Sequence, residues 1–277
     1  DQARQKITAG GGGAFLHPTH DLPAHKVLSA DAGSGELFKL QPHSFPNAKT
    51  SWWLTWRNLA FPLLNPSFGW VLGALYLVVG WPIAHRIALS GAANAADSMA
   101  GWLRAAIEQL TPGQILILLA LYVGGVLFTD THSRFYRVAG GAVHTTAHIA
   151  AAFLLAAVAA LWIAPSVHSR LLSLLASGAF VGVAGAVAGS FIWGLYLLAS
   201  LNVFGRHANE AFSSLRIADY KNFLRLRISP DGELSIYPIG IERVPRWRRW
   251  WARARKGSAP RLIEGPVKVK TAACLEI

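Results

Sequence analysis

The stretch FVGVAGAVAGSFIWGLYLLASL, residues 180–201, decides how this chain is read. It carries no charged side chain over a length that, at about 1.5 Å per residue, covers the ~30 Å hydrocarbon core of a bilayer. Core helices of soluble proteins are usually shorter and show a polar stripe at helical spacing. None is present here, so the segment reads as a membrane crossing.

Working outward, three further segments have the same character. No acidic, basic or histidine side chain occurs between Arg57 and His85, and Phe68 to Ala84 is almost wholly apolar. The four crossings are placed at about 66–84, 110–129, 138–163 and 178–204, the last extending back toward Leu171 and the third ended by Pro165. Four crossings are expected, with three as the alternative count. The whole chain agrees: 53% of its 277 residues are hydrophobic and 14% charged, against about 25% charged in soluble proteins. The expected fold is mainly α, a helical membrane bundle of about four transmembrane helices. A small C-terminal β-hairpin and a short N-terminal remnant of an α/β domain complete it. The corresponding domains are 1–50, 51–205 and 206–277.

The net charge of +12 is unevenly spread. With four crossings, 23 of the 26 Lys and Arg residues lie on one side, and only Arg86, Arg104 and Arg170 on the other. The positive-inside rule then puts both termini in the cytoplasm. The same placement argues against a nucleic-acid-binding domain, which would gather its basic residues on one face of a soluble fold. The single Cys274 excludes an internal disulfide.

Small residues recur in the last crossing as Gly178-x3-Gly182 and Gly185-x3-Gly189. Such spacing lets helices approach closely, within the bundle or in a homo-oligomer. His144 and His148, four apart, share one helix face. Ionisable residues inside a crossing tend to face interiors or cavities. Two readings follow: a metal or haem site helped by His132, or interfacial histidines hydrogen-bonded to neighbouring helices near the Arg137 end.

The polar ends are more structured than tails. Leu224, Leu226 and Ile228 alternate with Phe223, Arg225 and Arg227 at the period of a strand. Ser229-Pro230-Asp231-Gly232 fits a type I turn, so a hairpin is predicted over 223–239. Arg243 to Lys256 mixes Trp and Arg, with Trp247, Arg248, Arg249, Trp250 and Trp251 at its centre, which suits the headgroups of an anionic leaflet. Near the start, Lys6 to His20 reads as a short strand running into the glycines Gly10, Gly11, Gly12 and Gly13, followed by His17 and His20. That loop lacks the Lys-Ser/Thr ending of a P-loop and the spacing of a dinucleotide fingerprint.

ITAGGGGAFLHPTH (7–20), NEAFSSLRIADYKNFLR (209–225) and YPIG (237–240) together resemble the C-terminal part of membrane-anchored calcineurin-like metallophosphoesterases. In that family a soluble phosphoesterase domain precedes a helical membrane region and a short tail. The resemblance implies a hydrolase with two divalent metal ions, anchored at the cytoplasmic membrane surface. It also implies that the glycine segment is the last strand of the catalytic domain, with Gly10 to Gly13, His17 and His20 as candidates near its active site; the alternative for His17 and His20 is an ordinary turn capped by Pro18. The family's metal-ligand motifs, Asp-x-His, Gly-Asp, Gly-Asn-His and Gly-His-x-His, do not occur in this sequence. The chain, opening on Asp1 with Met99 as its only methionine, therefore reads as part of a longer polypeptide. By itself it is expected to bind no metal ions and to be inactive. Its expected partners are the lipid bilayer and an upstream catalytic domain. A structural membrane anchor, or a protein binding metal or haem through His144 and His148, are the alternatives.

Overall fold

The computed structural model describes residues 7–13, 15–21, 25–29, 35–39, 43–90, 99–129, 133–244 and 259–270. In chain order the elements are β1 (His25–Ser29), β2 (Gly35–Lys39), α1 (Ala48–Thr55), α2 (Pro66–Ser90), α3 (Met99–Glu108), α4 (Pro112–Phe128), α5 (Arg134–Val158), α6 (Arg170–Phe204), α7 (Ala208–Ser213), β3 (Lys221–Ile228), β4 (Glu233–Ile241), β5 (Arg261–Leu262) and β6 (Val267–Lys270). They divide into two compact units, Asn58–Ala199 and the two chain ends, Asp1–Arg57 with Ser200–Ile277.

The first unit is a helical bundle turned inside out relative to a soluble protein. Its outward surface carries large apolar side chains such as Leu116, Val143, Leu154, Trp162, Leu171 and Val187, while Asn58, Gln114, Thr129, His144, Thr145 and Ser190 are buried. Apolar exposure on this scale marks a surface that meets lipid. Helices α2, α5 with its π-helical continuation Ala159–Ile163, and α6 are each long and apolar enough to cross a membrane. A fourth crossing is reached when Gly101–Glu108 and Pro112–Phe128, bent by 106°, count as one broken span.

The directions of these helices alternate. From Gly69 to Trp81, α2 meets α6 in descending order from Ser190 to Gly178, so the two are antiparallel. Gly80 of α2 meets Ala152 of α5, as Tyr76 meets His148, so these two run parallel. Helix α4 pairs Gly125 with Thr145 and Val126 with Gly141, antiparallel to α5. Consecutive long helices thus run up, down, up and down.

Local sequence explains where they start. Thr111 accepts a hydrogen bond from the Gln114 amide while Gln114 Oε1 accepts one from the Thr111 amide, a capping box followed by Pro112. This satisfies orphan backbone donors that an apolar medium would leave costly. Gln114 Oε1 also accepts from Arg86, so the cation within α2 is held by the cap of α4. Ser133 caps α5 through the Tyr136 amide.

The helices begin earlier or end later than their apolar cores suggest. α2 continues through Pro82 to Ser90, α5 begins at Arg134 and α6 at Arg170. The expected span 110–129 is the single helix α4, preceded by the separate α3.

Glycines set the interhelical distances. A β-carbon at Gly73 would lie 2.6 Å from the Gly182 carbonyl oxygen, and one at Gly178 would lie 2.9 Å from the Trp81 ring. Gly182, Gly185 and Gly189 face Leu77, Tyr76 and Leu72. All four repeat glycines are therefore used against α2 of the same chain.

In the unit formed by the chain ends, β3 and β4 pair antiparallel from Lys221–Ile241 to Ile228–Leu234. Their turn closes with a Gly232 N–H donating to Ser229 O at 3.0 Å and Gly232 at φ 80°. The hairpin is longer at both ends than 223–239. The further strands it needs come from its own tail, since β5 and β6 both pair with β4. A separate hairpin joins β1 and β2. Residues 7–9 are not strand, and Gly10–Gly12 form one 3-10 turn, in place of the strand expected there.

Replacing Gly141 with alanine would push a methyl to 2.7 Å from Val126 Cα, where backbone cannot yield. Overpacking of this kind costs about 1–3 kcal/mol. Gly113→Ala meets nothing within 4 Å. Thermal melts in detergent should show a clear loss for the first substitution and none for the second.

Candidate functional site

Two places gather the residues singled out in the sequence. The first lies in the unit of chain ends, where two of the phrases quoted above meet. The Gly11 amide donates to Asn222 Oδ1 at 3.1 Å, and Lys221 Nζ donates to the Gly13 carbonyl at 2.9 Å. Gly11 is buried, and a β-carbon there would overlap the Asn222 side chain, whereas Gly10 and Gly12 have open space. One glycine of the four is thus required by packing.

His20 is fixed by α1. Thr19 donates its amide to Ser51 Oγ at 2.9 Å and its hydroxyl to Pro46 O at 2.7 Å, while Ser51 Oγ lies 2.8 Å from His20 Nδ1. The His20 ring packs 6.1 Å from that of Phe212. Phe212, Ala211, Leu215, Ile217 and Leu16 form the buried core here. His17 instead stacks against Phe15 at 4.8 Å. His207 Nδ1 lies 2.7 Å from Ser200 Oγ. Burial lowers the pKa of His20, offset in part by Asp21, and lowers that of His207, so both favour the neutral ring.

Backbone strain concentrates in the same phrase. His207, Arg216 and Tyr220 all adopt positive φ, between 50° and 60°, at about 1–2 kcal/mol each for non-glycine residues. The Tyr220 amide is held by Glu242 O at 3.1 Å, and Asp219 Oδ1 accepts from the Val244 amide at 3.0 Å. A polar recess of about 330 Å³ lies beside them, but its Arg261 and Glu242 pair with each other at 2.5 Å.

The second place is inside the bundle. His144 and His148 lie ten and fourteen residues into α5, about 15 and 21 Å along its axis. Because α5 starts at Arg134 and continues to Ile163, His148 sits at the middle of a 30-residue crossing. His144 and His148 lie seven and eleven residues beyond Arg137. The rings of His144 and His148 are 4.7 Å apart, edge to face, and His144 lies 4.2 Å from Tyr196 and 5.0 Å from Trp193. Tyr76 of α2 places its hydroxyl 3.0 Å from His148 Nδ1. His148 Nε2 is buried with no hydrogen-bonding atom of the described chain in reach, which costs roughly 1–3 kcal/mol if left so. Tyr76, His144, His148 and Trp193, with Thr145, line a largely apolar cavity of about 260 Å³.

Tyr76 and Trp193 were not singled out in the sequence. The one available signal was a polar-tipped aromatic within each apolar span. Among the described residues no three His, Cys, Asp or Glu side chains come together as a metal-ligand set. Within the described residues His144 and His148 bring two imidazoles together, with ring centroids 4.7 Å apart. His132 and the run Trp247, Arg248, Arg249, Trp250 and Trp251 lie outside the described residues.

Gly11→Ala should destabilise the unit of chain ends by about 1–3 kcal/mol, while Gly12→Ala stays near neutral. Limited proteolysis of the two variants, followed at residues 7–21, reads the difference. No family model, no curated protein and no solved structure matches this chain.

Proposed function

We propose that this chain is the membrane-spanning C-terminal part of a metallophosphoesterase-like hydrolase, holding a two-metal phosphoester-hydrolysing domain at the cytoplasmic surface. One observation supports this reading above the others. Segments 7–20 and 209–225, which carry the resemblance, are some 200 residues apart yet build one compact unit. They do so through Gly11–Asn222, Gly13–Lys221 and His20–Phe212. Segments with no shared purpose have no reason to be packed together from such distant parts of the chain. The metal-assisted chemistry, in which two ions clamp the phosphoryl group and activate water, belongs to the joined domain and not to any residue described here.

The test is hydrolysis of bis(p-nitrophenyl) phosphate with Mn²⁺. The 277-residue chain alone should give no turnover above the metal-only background, and the same chain joined to its natural upstream sequence should give metal-dependent turnover. Activity of the chain alone overturns the proposal. So does an upstream reading frame without Asp-x-His and Gly-Asn-His motifs.

Placement of both termini in the cytoplasm rests on the charge asymmetry and is supported by the alternating helix directions. Cys274, the single thiol, provides the readout. A membrane-impermeant maleimide should label it in inverted vesicles and spare it in intact cells; labelling in intact cells would reverse the orientation.

A further inference from the structure

The cavity inside the bundle is built unlike a packing defect. Its walls come from four helices: Leu72, Leu75 and Tyr76 of α2, Gly124 and Phe128 of α4, His144 and His148 of α5, and Trp193 of α6. At about 260 Å³ it exceeds the ~150 Å³ that admits a benzene ring in an apolar interior. Leu75 and Phe128 are exposed on the bundle surface, so the cavity opens sideways, toward lipid. Among the atoms lining it, His148 Nε2 has no hydrogen-bonding partner among the described residues.

The partner's chemistry follows from the other side of the imidazole. The Tyr76 hydroxyl lies against Nδ1, and when it donates there the ring hydrogen rests on Nε2, making that atom a donor. The occupant must then be an apolar body carrying one acceptor oxygen. Depth narrows the choice. His148 stands at the midpoint of a 30-residue helix, which, centred in a bilayer, puts it about 15 Å from either edge of the hydrocarbon core. The ester carbonyls of a glycerolipid sit at those edges and do not reach it. A molecule that carries a ring carbonyl into the hydrocarbon does. The neighbouring faces of Trp193 and His144, with ring centroids 5.0 Å apart, offer a planar ring the offset or edge contacts that aromatic groups prefer.

We propose that this cavity binds the ring of a lipid-soluble quinone, with one ring carbonyl accepting a hydrogen bond from His148 Nε2. The inference concerns binding only and is independent of the hydrolase reading.

The experiment uses the full chain in nanodiscs, with decylubiquinone as probe and decylbenzene as a ring-and-tail control without carbonyls. Quenching of tryptophan fluorescence by decylubiquinone should be saturable, and decylbenzene, read by its displacement of the quinone, should bind about tenfold more weakly, the scale of one lost hydrogen bond in an apolar site. His148→Leu should reduce quinone affinity by a similar factor and leave decylbenzene unaffected. Gly124→Leu puts a larger side chain into the cavity lining at a position where an added β-carbon meets nothing within 4 Å, and it should abolish binding of both probes while the variant still elutes as a single species. Equal binding of the two probes, with His148→Leu without effect, would show a cavity that takes hydrocarbon alone and would overturn the proposal. So would the absence of saturable quinone binding to a wild-type chain that elutes as a single species.

Discussion

The close approach of α2 and α6 is the constraint on which the bundle depends. In lipid there is no hydrophobic gain in bringing two apolar helices together, so association rests on van der Waals contact and on polar groups satisfied between helices. Glycine at 73, 178, 182, 185 and 189 lets that contact form without side chains in between. Tyr76 is the large residue seated in this run of small ones, against Gly185 and Gly189. Its ring is thereby clamped, and its hydroxyl is delivered to His148 across the bundle. Helix packing and the polar centre of the membrane unit are the same arrangement seen from two sides. Trp81 repeats the pattern one turn on, lying over Gly178 and donating to the Leu174 carbonyl at 3.1 Å.

Much of the membrane unit was legible in the sequence because the bilayer imposes one strong rule: long uncharged segments. That rule locates cores well and ends poorly. Arg134, Arg137 and Arg170 belong to the helices they flank, since a charged side chain at a helix end can extend toward the interface while its backbone stays helical. Pro82 ends no helix: α2 continues through it to Ser90, in keeping with the tolerance of proline inside membrane helices. The separate helix α3 was missed, as Arg104 and Glu108 break its apolar run and pair with each other at 2.9 Å on the exposed side.

The sites were less legible, for a different reason. Periodicity relates residues a few positions apart, whereas Tyr76 meets His148 across 72 residues and Gly11 meets Asn222 across 211. Nothing local to Asn222 announces that it accepts from a glycine amide. The hairpin β3–β4 was readable from alternation and from its turn. β5 and β6 are short, follow a run of Trp and Arg, and have no alternation strong enough to reveal them. The glycine segment shows how one signal supports two meanings: its flexibility suggests a ligand loop, but at Gly11 the missing side chain makes room for another part of the chain.

A unit assembled from both ends of a chain imposes an order on biosynthesis. Residues 7–21 leave the ribosome before the bundle, but their partners at 207–222 follow only after α6 has been made. For that whole interval the glycine segment and His20 lack the neighbours that bury them, and they must be kept from wrong contacts. Closure of the unit therefore reports that the intervening bundle has been synthesised, and a chain stopped anywhere in the bundle carries segment 7–21 without its partners. Such a piece is a ready mark by which proteolysis could separate unfinished chains from finished ones.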